Sequence, residues 1–142
     1  MLTVISIIIF ISMLVHSYLC KGDIECLSDI AYDKHYRLFA SAMNIIAVCL
    51  FFATIDKTPE SYQFLCFLAS VGCIGVGITP YKECGSIHKG CALVAMISVL
   101  GLWIVKGMWY MPFLFCLAGL RKKWLLGIEM GVLTSAFAYA LI

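Results

Sequence analysis

The sequence predicts an all-α membrane protein, a single polytopic domain over residues 1–142, folded as a compact bundle of six short transmembrane helices with five as the alternative. Three observations predict it. The chain is 63% hydrophobic and 13% charged, with a mean hydropathy of +1.02, whereas a soluble domain is about 45–50% apolar. A water-soluble fold of this size could not hide so many apolar side chains in its interior. Apolar runs of near-spanning length recur along the chain between short polar crossings. Within those runs small residues repeat every four positions, which lets helix backbones approach each other in lipid. The net charge of +2 is small and scattered, so the composition carries no nucleic-acid signal.

Residues 2–19 form the first run, close to the ~20 residues needed to cross hydrocarbon. A cleaved signal peptide fits less well, because no Lys or Arg precedes the run and no small-x-small site follows it. Residues 20–36 are the longest polar segment and hold Asp23, Glu25, Asp29 and Asp33, half of the eight carboxylates. Asp29, Asp33 and Arg37 recur at helical spacing. The segment reads either as a solvated amphipathic lead into the next helix or as a polar cap built from Ser28, Asp29, Asp33 and His35.

The second span covers 38–55. Asn44 lies near its middle, where an unpaired amide is costly in lipid, and Ala40 and Ala47 share its face, so that face is expected to pack on another helix. The turn Asp56–Glu60 contains Pro59, suited to starting a helix, and the third span follows at about 61–79. Its Ala69, Cys73 and Gly77 form a small-residue ridge. The stretch Val71–Met96 is pivotal: it leaves the third span through Gly72, Gly75 and Gly77, breaks at Pro80, crosses a polar loop with Cys84, His88 and Lys89, and enters a fourth span at about 90–105.

Lys106-Gly107 interrupts the fourth run, flanked by Trp103, Trp109 and Tyr110, side chains that a membrane interface attracts. Residues 108–120 are ambiguous: thirteen residues at ~1.5 Å rise reach ~20 Å against a ~30 Å core. A short fifth span fits by local thinning or snorkelling, and a re-entrant or interfacial segment is the alternative. The basic cluster Arg121-Lys122-Lys123 leads into the last span, which runs to Ile142. Gly127, Gly131 and Ser135 repeat the four-residue spacing there, and the expectation is a close seam with Ala69, Cys73 and Gly77. Glu129 is the one carboxylate well inside an apolar helix. An intramembrane acid suggests function by default, although pairing with Lys122 or Lys123 is the simpler reading.

Cys49, Cys66, Cys73 and Cys116 lie inside apolar runs and read as small hydrophobes. Cys20, Cys26, Cys84 and Cys91 lie in or beside polar loops and could pair only in an oxidising compartment. Without a CxxC pair a zinc ribbon or thioredoxin-like site is not implied, and a three-histidine zinc site would need His16, His35 and His88 together. No cofactor or metal is therefore expected. The lipid bilayer is the expected partner, with a homo-oligomer or another membrane protein beside it, and the location is the cell membrane.

With six spans, Lys21, Lys34, Arg37, Lys82, Lys89, Arg121, Lys122 and Lys123 share one side, against Lys57 and Lys106 on the other. That bias places both termini outside the cytoplasm. Loops 20–36 and 80–90 share a face, so Asp29 or Asp33 is expected within reach of His88; the alternative is that His88 caps the fourth span in water.

Ser28-Asp29 after the first span, Gly77 to Pro80 followed by His88, and Gly119-Leu120-Arg121 before the last span together resemble a bacterial membrane family of unknown function, numbered 998 among such domains and distantly related to Frag/DRAM-type proteins. The resemblance implies six helices and an N-terminus in the cytoplasm, which opposes the charge bias, and it implies no reaction. The functional expectation is a non-catalytic protein that packs, senses or interacts. The alternative is a membrane-embedded enzyme or transporter acting on a lipid or small solute through His88 and the carboxylates of residues 20–36.

Overall fold

The computed structural model describes residues 1–21, 36–79, 81–111, 113 and 124–142. Every regular element among them is helical: α1 (Leu2–Lys21), α2 (Tyr36–Ile55), a short 3-10 turn (Glu60–Tyr62), α3 (Gln63–Ile78), α4 (Tyr81–Val105) and α5 (Trp124–Leu141). Three helical segments are long and apolar enough to cross a membrane, Tyr36–Ile55, Glu60–Ile78 and Cys84–Val105. Leu2–His16 and Gly127–Leu141 are shorter apolar stretches.

The polar stretch after Pro80 corrects an expectation. Residues 81–90 are the first turns of α4 and not a loop, with one break in helical geometry at Cys84 (φ −128°, ψ 40°). Nothing in Tyr81–Gly90 forbids a helix once proline is passed, and polar side chains are compatible with one. The carbonyl of Thr79, just beyond the end of α3, is bonded by His88. The other end of α4 stops where Lys106-Gly107 predicts. Gly107 takes φ 72°, its N–H donates to Ile104 O (2.8 Å), and the N–H of Met108 donates to Trp103 O (2.9 Å). This paired closure requires a left-handed residue that glycine adopts without steric cost.

Packing is most extensive between α3 and α4, then between α2 and α3 and between α1 and α2. The last helix, α5, lies on α2, α4 and α1. The reason is a glycine seam. A Cβ placed on Gly72 would sit 2.7 Å from both Ala95 N and Cys91 O, and one on Gly75 would strike the Cys91 side chain. Gly77 turns the other way: its Cβ would meet Met43 Cβ at 3.0 Å and Asn44 Oδ1 at 3.3 Å. The ridge on α3 is thus divided between neighbours. Among the described residues α3 and α5 are not a closely packed pair. Gly127, Gly131 and Ser135 are all buried, and the Ser135 hydroxyl bonds Val132 O within its own helix.

The core has two parts. Phe10 and Met13 of α1 meet Phe39, Met43, Ile46 and Leu50 of α2 and Leu133 and Phe137 of α5. Cys66, Val99, Leu102, Trp103 and Tyr139 form the second part. Trp103 is wholly buried, and only Trp109 and Tyr110 of the expected interfacial aromatics are exposed. The distinction follows from position: Trp103 belongs to the last turn of α4, whereas Trp109 and Tyr110 lie beyond the Gly107 stop.

Candidate functional site

The bundle has two polar ends. At one, α3 finishes and α4 begins, and three carbonyls need partners. Gly75 O accepts from both the backbone N–H and the hydroxyl of Thr79 (3.1 and 2.6 Å). Ile78 O accepts from the Tyr36 hydroxyl at 2.7 Å, and Thr79 O accepts from His88 Nδ1 at 2.7 Å. A carbonyl cannot donate, so His88 must carry its proton on Nδ1. His88 is 5% exposed, so it does not cap α4 in water: it ties α4 to the end of α3. Ser28, Asp29, Asp33 and His35 of the expected polar cap lie outside the described residues, as do Cys26, Lys122 and Lys123.

At the other end a buried hydroxyl, Thr58, links three elements. Its oxygen lies 2.9 Å from Thr54 O, 2.9 Å from the Tyr139 hydroxyl and 3.3 Å from Cys66 Sγ. Its single proton goes to the Thr54 carbonyl, so Tyr139 and Cys66 donate to Thr58. Trp103 stacks edge-on against Tyr139 with centroids 5.5 Å apart, and Lys106 Nζ lies 4.2 Å from the centre of the same ring. Lys57 Nζ reaches Ala140 O, a favourable place for a cation at a helix C-terminus. The pattern offered a weak signal for this cluster, hydroxyls and lysines near span ends, but nothing linked Thr58 to a residue eighty-one positions away.

Lys106 carries a consequence for pH. Burial first, and then the like charge of Lys57, lower its pKa from the usual lysine value. Between the lowered value and the usual one, the unfolded chain binds more protons than the folded one, so stability rises with pH across that window. Lys106→Met is expected to flatten that rise in a series of detergent unfolding curves. An unchanged alkaline limb in the variant would show that Lys106 does not set it.

Between the ends, Glu129 of α5 lines a cavity of about 70 Å³ with Phe39 and Met43 of α2, Cys73 and Val76 of α3, Ala92, Ala95 and Met96 of α4, and Val132 and Leu133 of its own helix. Ala69 and Cys73 also line a smaller cavity of about 30 Å³, opposite Ala136 and Tyr139. These two positions border α5 at that cavity, and α3 and α5 are not a closely packed pair among the described residues. Asn44 packs beside Gly77, as a helix-facing amide should, and its Oδ1 is buried without a hydrogen-bond partner. Ser70 of α3 donates to Ala47 O of α2 at 3.2 Å. His16 lies on a separate groove with Ser12, Leu38 and Ala42. Among the described residues no group of three His, Cys, Asp or Glu side chains is placed to hold a metal ion. Cys84 and Cys91 are free thiols.

Comparison with known protein families, with curated proteins and with solved structures finds no match for this chain.

Proposed function

We propose that this chain is a small integral membrane protein that crosses the bilayer six times and acts without catalysis, through packing, sensing or contact with a membrane partner or a second copy. One observation carries the reading: beyond the apolar side chains of its core, the bundle exposes large apolar side chains on α1 to α4, while several polar ones are buried. Ile8, Ile11 and Val15 of α1, Ile45, Val48 and Phe52 of α2, Phe64, Phe67 and Val71 of α3, and Leu93, Ile97 and Ile104 of α4 are all exposed. Water would penalise such faces, whereas lipid solvates them. The buried polar residues Ser6, Thr54, Thr58, Ser98 and Ser135 bond helix carbonyls, and His88 is bonded to the end of α3. Most of these bonds close on the residue's own helix, whereas Thr58, through Cys66 and Tyr139, and His88, through Thr79 O, join separate elements.

The places where the helices end support the six-crossing reading. Tyr139, near the end of α5, lies against Trp103, near the end of α4, and Glu129 shares its cavity with Val76 and Ala92 toward the opposite end of the bundle. Helices α4 and α5 therefore point the same way, which is the arrangement that six crossings require. Both termini then share a face with Lys57. A topology reporter placed before Met1 and one placed after Ile142 should read the same compartment, and a membrane-impermeant amine reagent should reach Lys57 from that side and Lys89 from the other. Reporters on opposite sides would replace six crossings by five. Release of the protein from membranes by alkaline carbonate would remove the membrane reading altogether.

A further inference from the structure

We infer that Lys57 and Lys106, which converge on the end of α5, form a binding site for a phosphate group, carried by a lipid or free in solution. The two ammonium groups reach adjacent residues of α5 from different parts of the chain. Lys57 Nζ, from the turn after α2, donates to Ala140 O. Lys106 Nζ, just past the end of α4, lies 4.2 Å from the centre of the Tyr139 ring. That ring is held on both sides, edge-on by Trp103 and through its hydroxyl by Thr58, so it fixes where Lys106 rests.

The donors of this pair are largely unspent. Among the described residues the Lys106 ammonium has the ring as its contact and neither a hydrogen bond nor an ion pair. It is not needed to close α4, because the carbonyls of Leu102, Trp103 and Ile104 already accept from the backbone N–H groups of Lys106, Met108 and Gly107. Lys57 is exposed and spends one donor on Ala140 O, and an ammonium has several. Asp56 and Glu60 are exposed nearby in the sequence, yet neither is paired with these lysines among the described residues. Like charges held close repel, and burial together with the charge of Lys57 already keeps the Lys106 ammonium below the usual lysine value. An oxyanion between the two would reverse that repulsion and accept from both through charge-assisted bonds. Depth selects which oxyanion. Trp109 and Tyr110 are exposed just beyond Lys106, and such aromatics lie at the level of lipid headgroups, where phosphate is the anion at hand. That depth rests on the membrane reading proposed above; the convergence of the lysines does not.

The test uses dispersed phosphatidylglycerol and inorganic phosphate as probes on the full chain in a mild detergent, with sodium chloride at matched ionic strength as the control for screening. The acetylation rate of Lys106, followed against pH by mass spectrometry, should move to higher pH with a bound phosphate, because the anion favours the charged ammonium. The same probe should raise the unfolding temperature in a saturable way, and sodium chloride should do neither. Lys106→Gln and Lys57→Gln should each weaken the binding about fivefold, the worth of one basic residue at an anionic surface, whereas Lys106→Arg should retain it. A response to phosphatidylglycerol alone assigns the site to a lipid headgroup, and a response to inorganic phosphate assigns it to a free phosphate. The inorganic-phosphate arm needs no bilayer, so it can succeed where carbonate extraction removes the membrane reading. A Lys106 profile that neither probe moves, an equal effect of sodium chloride, or undiminished binding in Lys106→Gln would overturn the inference and leave the lysines as helix-end contacts only. Should Lys57→Gln fail to fold for want of its bond to Ala140 O, Lys106→Gln decides alone.

Discussion

Gly72→Leu is expected to be among the most damaging substitutions in the described bundle, with a loss of about 3 kcal/mol or more, at or beyond the usual range for an overpacked core. The obstacle is backbone. A Cβ at position 72 already lies 2.7 Å from Ala95 N and Cys91 O, and neither atom can swing aside as a side chain would. The helices would have to separate, and the seam is the most extensively packed in the structure. Gly90 provides the control, since nothing lies within 4 Å of a Cβ built there. Gly90→Ala should be neutral or stabilising by up to ~1 kcal/mol, the helix-propensity difference between the two residues. Unfolding in graded denaturing detergent, followed by circular dichroism, measures both. Equal stabilities for the two variants would disprove the seam.

The second large effect is expected at Trp103, which is 0% exposed and packs with Cys66, Val99, Leu102 and Tyr139. Trp103→Ala should cost about 3–5 kcal/mol, the usual range for emptying a buried aromatic site. Trp103→Phe should cost far less. The indole Nε1 is buried without a hydrogen-bond partner, so phenylalanine removes an unsatisfied donor while keeping a ring against Tyr139. A small loss for alanine, or a larger loss for phenylalanine than for alanine, would contradict this placement. The Trp103→Ala protein should also loosen the contact of Lys106 with the Tyr139 ring, which limited proteolysis near the end of α4 would register.

The helices were legible because their signal is local. Apolar runs at 2–19, 38–55 and 61–79 correspond to α1, α2 and the Glu60–Ile78 segment, and Lys106-Gly107 marked a real stop. Residues 81–90 misled because polarity was read as loop, although polarity says where a segment is solvated and not whether it is helical. The glycines were visible and their partners were not. Gly72 and Gly75 face α4 and Gly77 faces α2, a division set by the angles at which three helices meet. Spacing along one strand of sequence does not encode those angles. Trp103 resembled Trp109 for the same reason, since both flank a break and differ only in which side of it they occupy. Glu129 stood out as an acid in an apolar helix, yet the cavity around it depends on Ala92 and Ala95 being small on another helix. Asp29 and Asp33, the other acids singled out, lie outside the described residues.

The short link between α3 and α4 gives the seam a meaning in time. Only positions 79 and 80 separate the two helices, so closing them on each other costs little loop entropy, and contacts between near neighbours in sequence form fast. The α3–α4 hairpin can therefore assemble as a unit while the C-terminal part of the chain is still being made, since synthesis delivers the N-terminal part first. Helix α5 arrives on a surface already built and packs on it less extensively than α3 packs on α4, through Leu133 and Phe137 in the core with Phe10, Tyr139 on Thr58 and Trp103, and Lys57 on the Ala140 carbonyl. The last piece to dock should also be the first to leave. Hydrogen exchange should show amides around Gly72 and Ala95 outlasting those of α5, and the cavity at Glu129 would then open along a joint that the protein can release without unfolding.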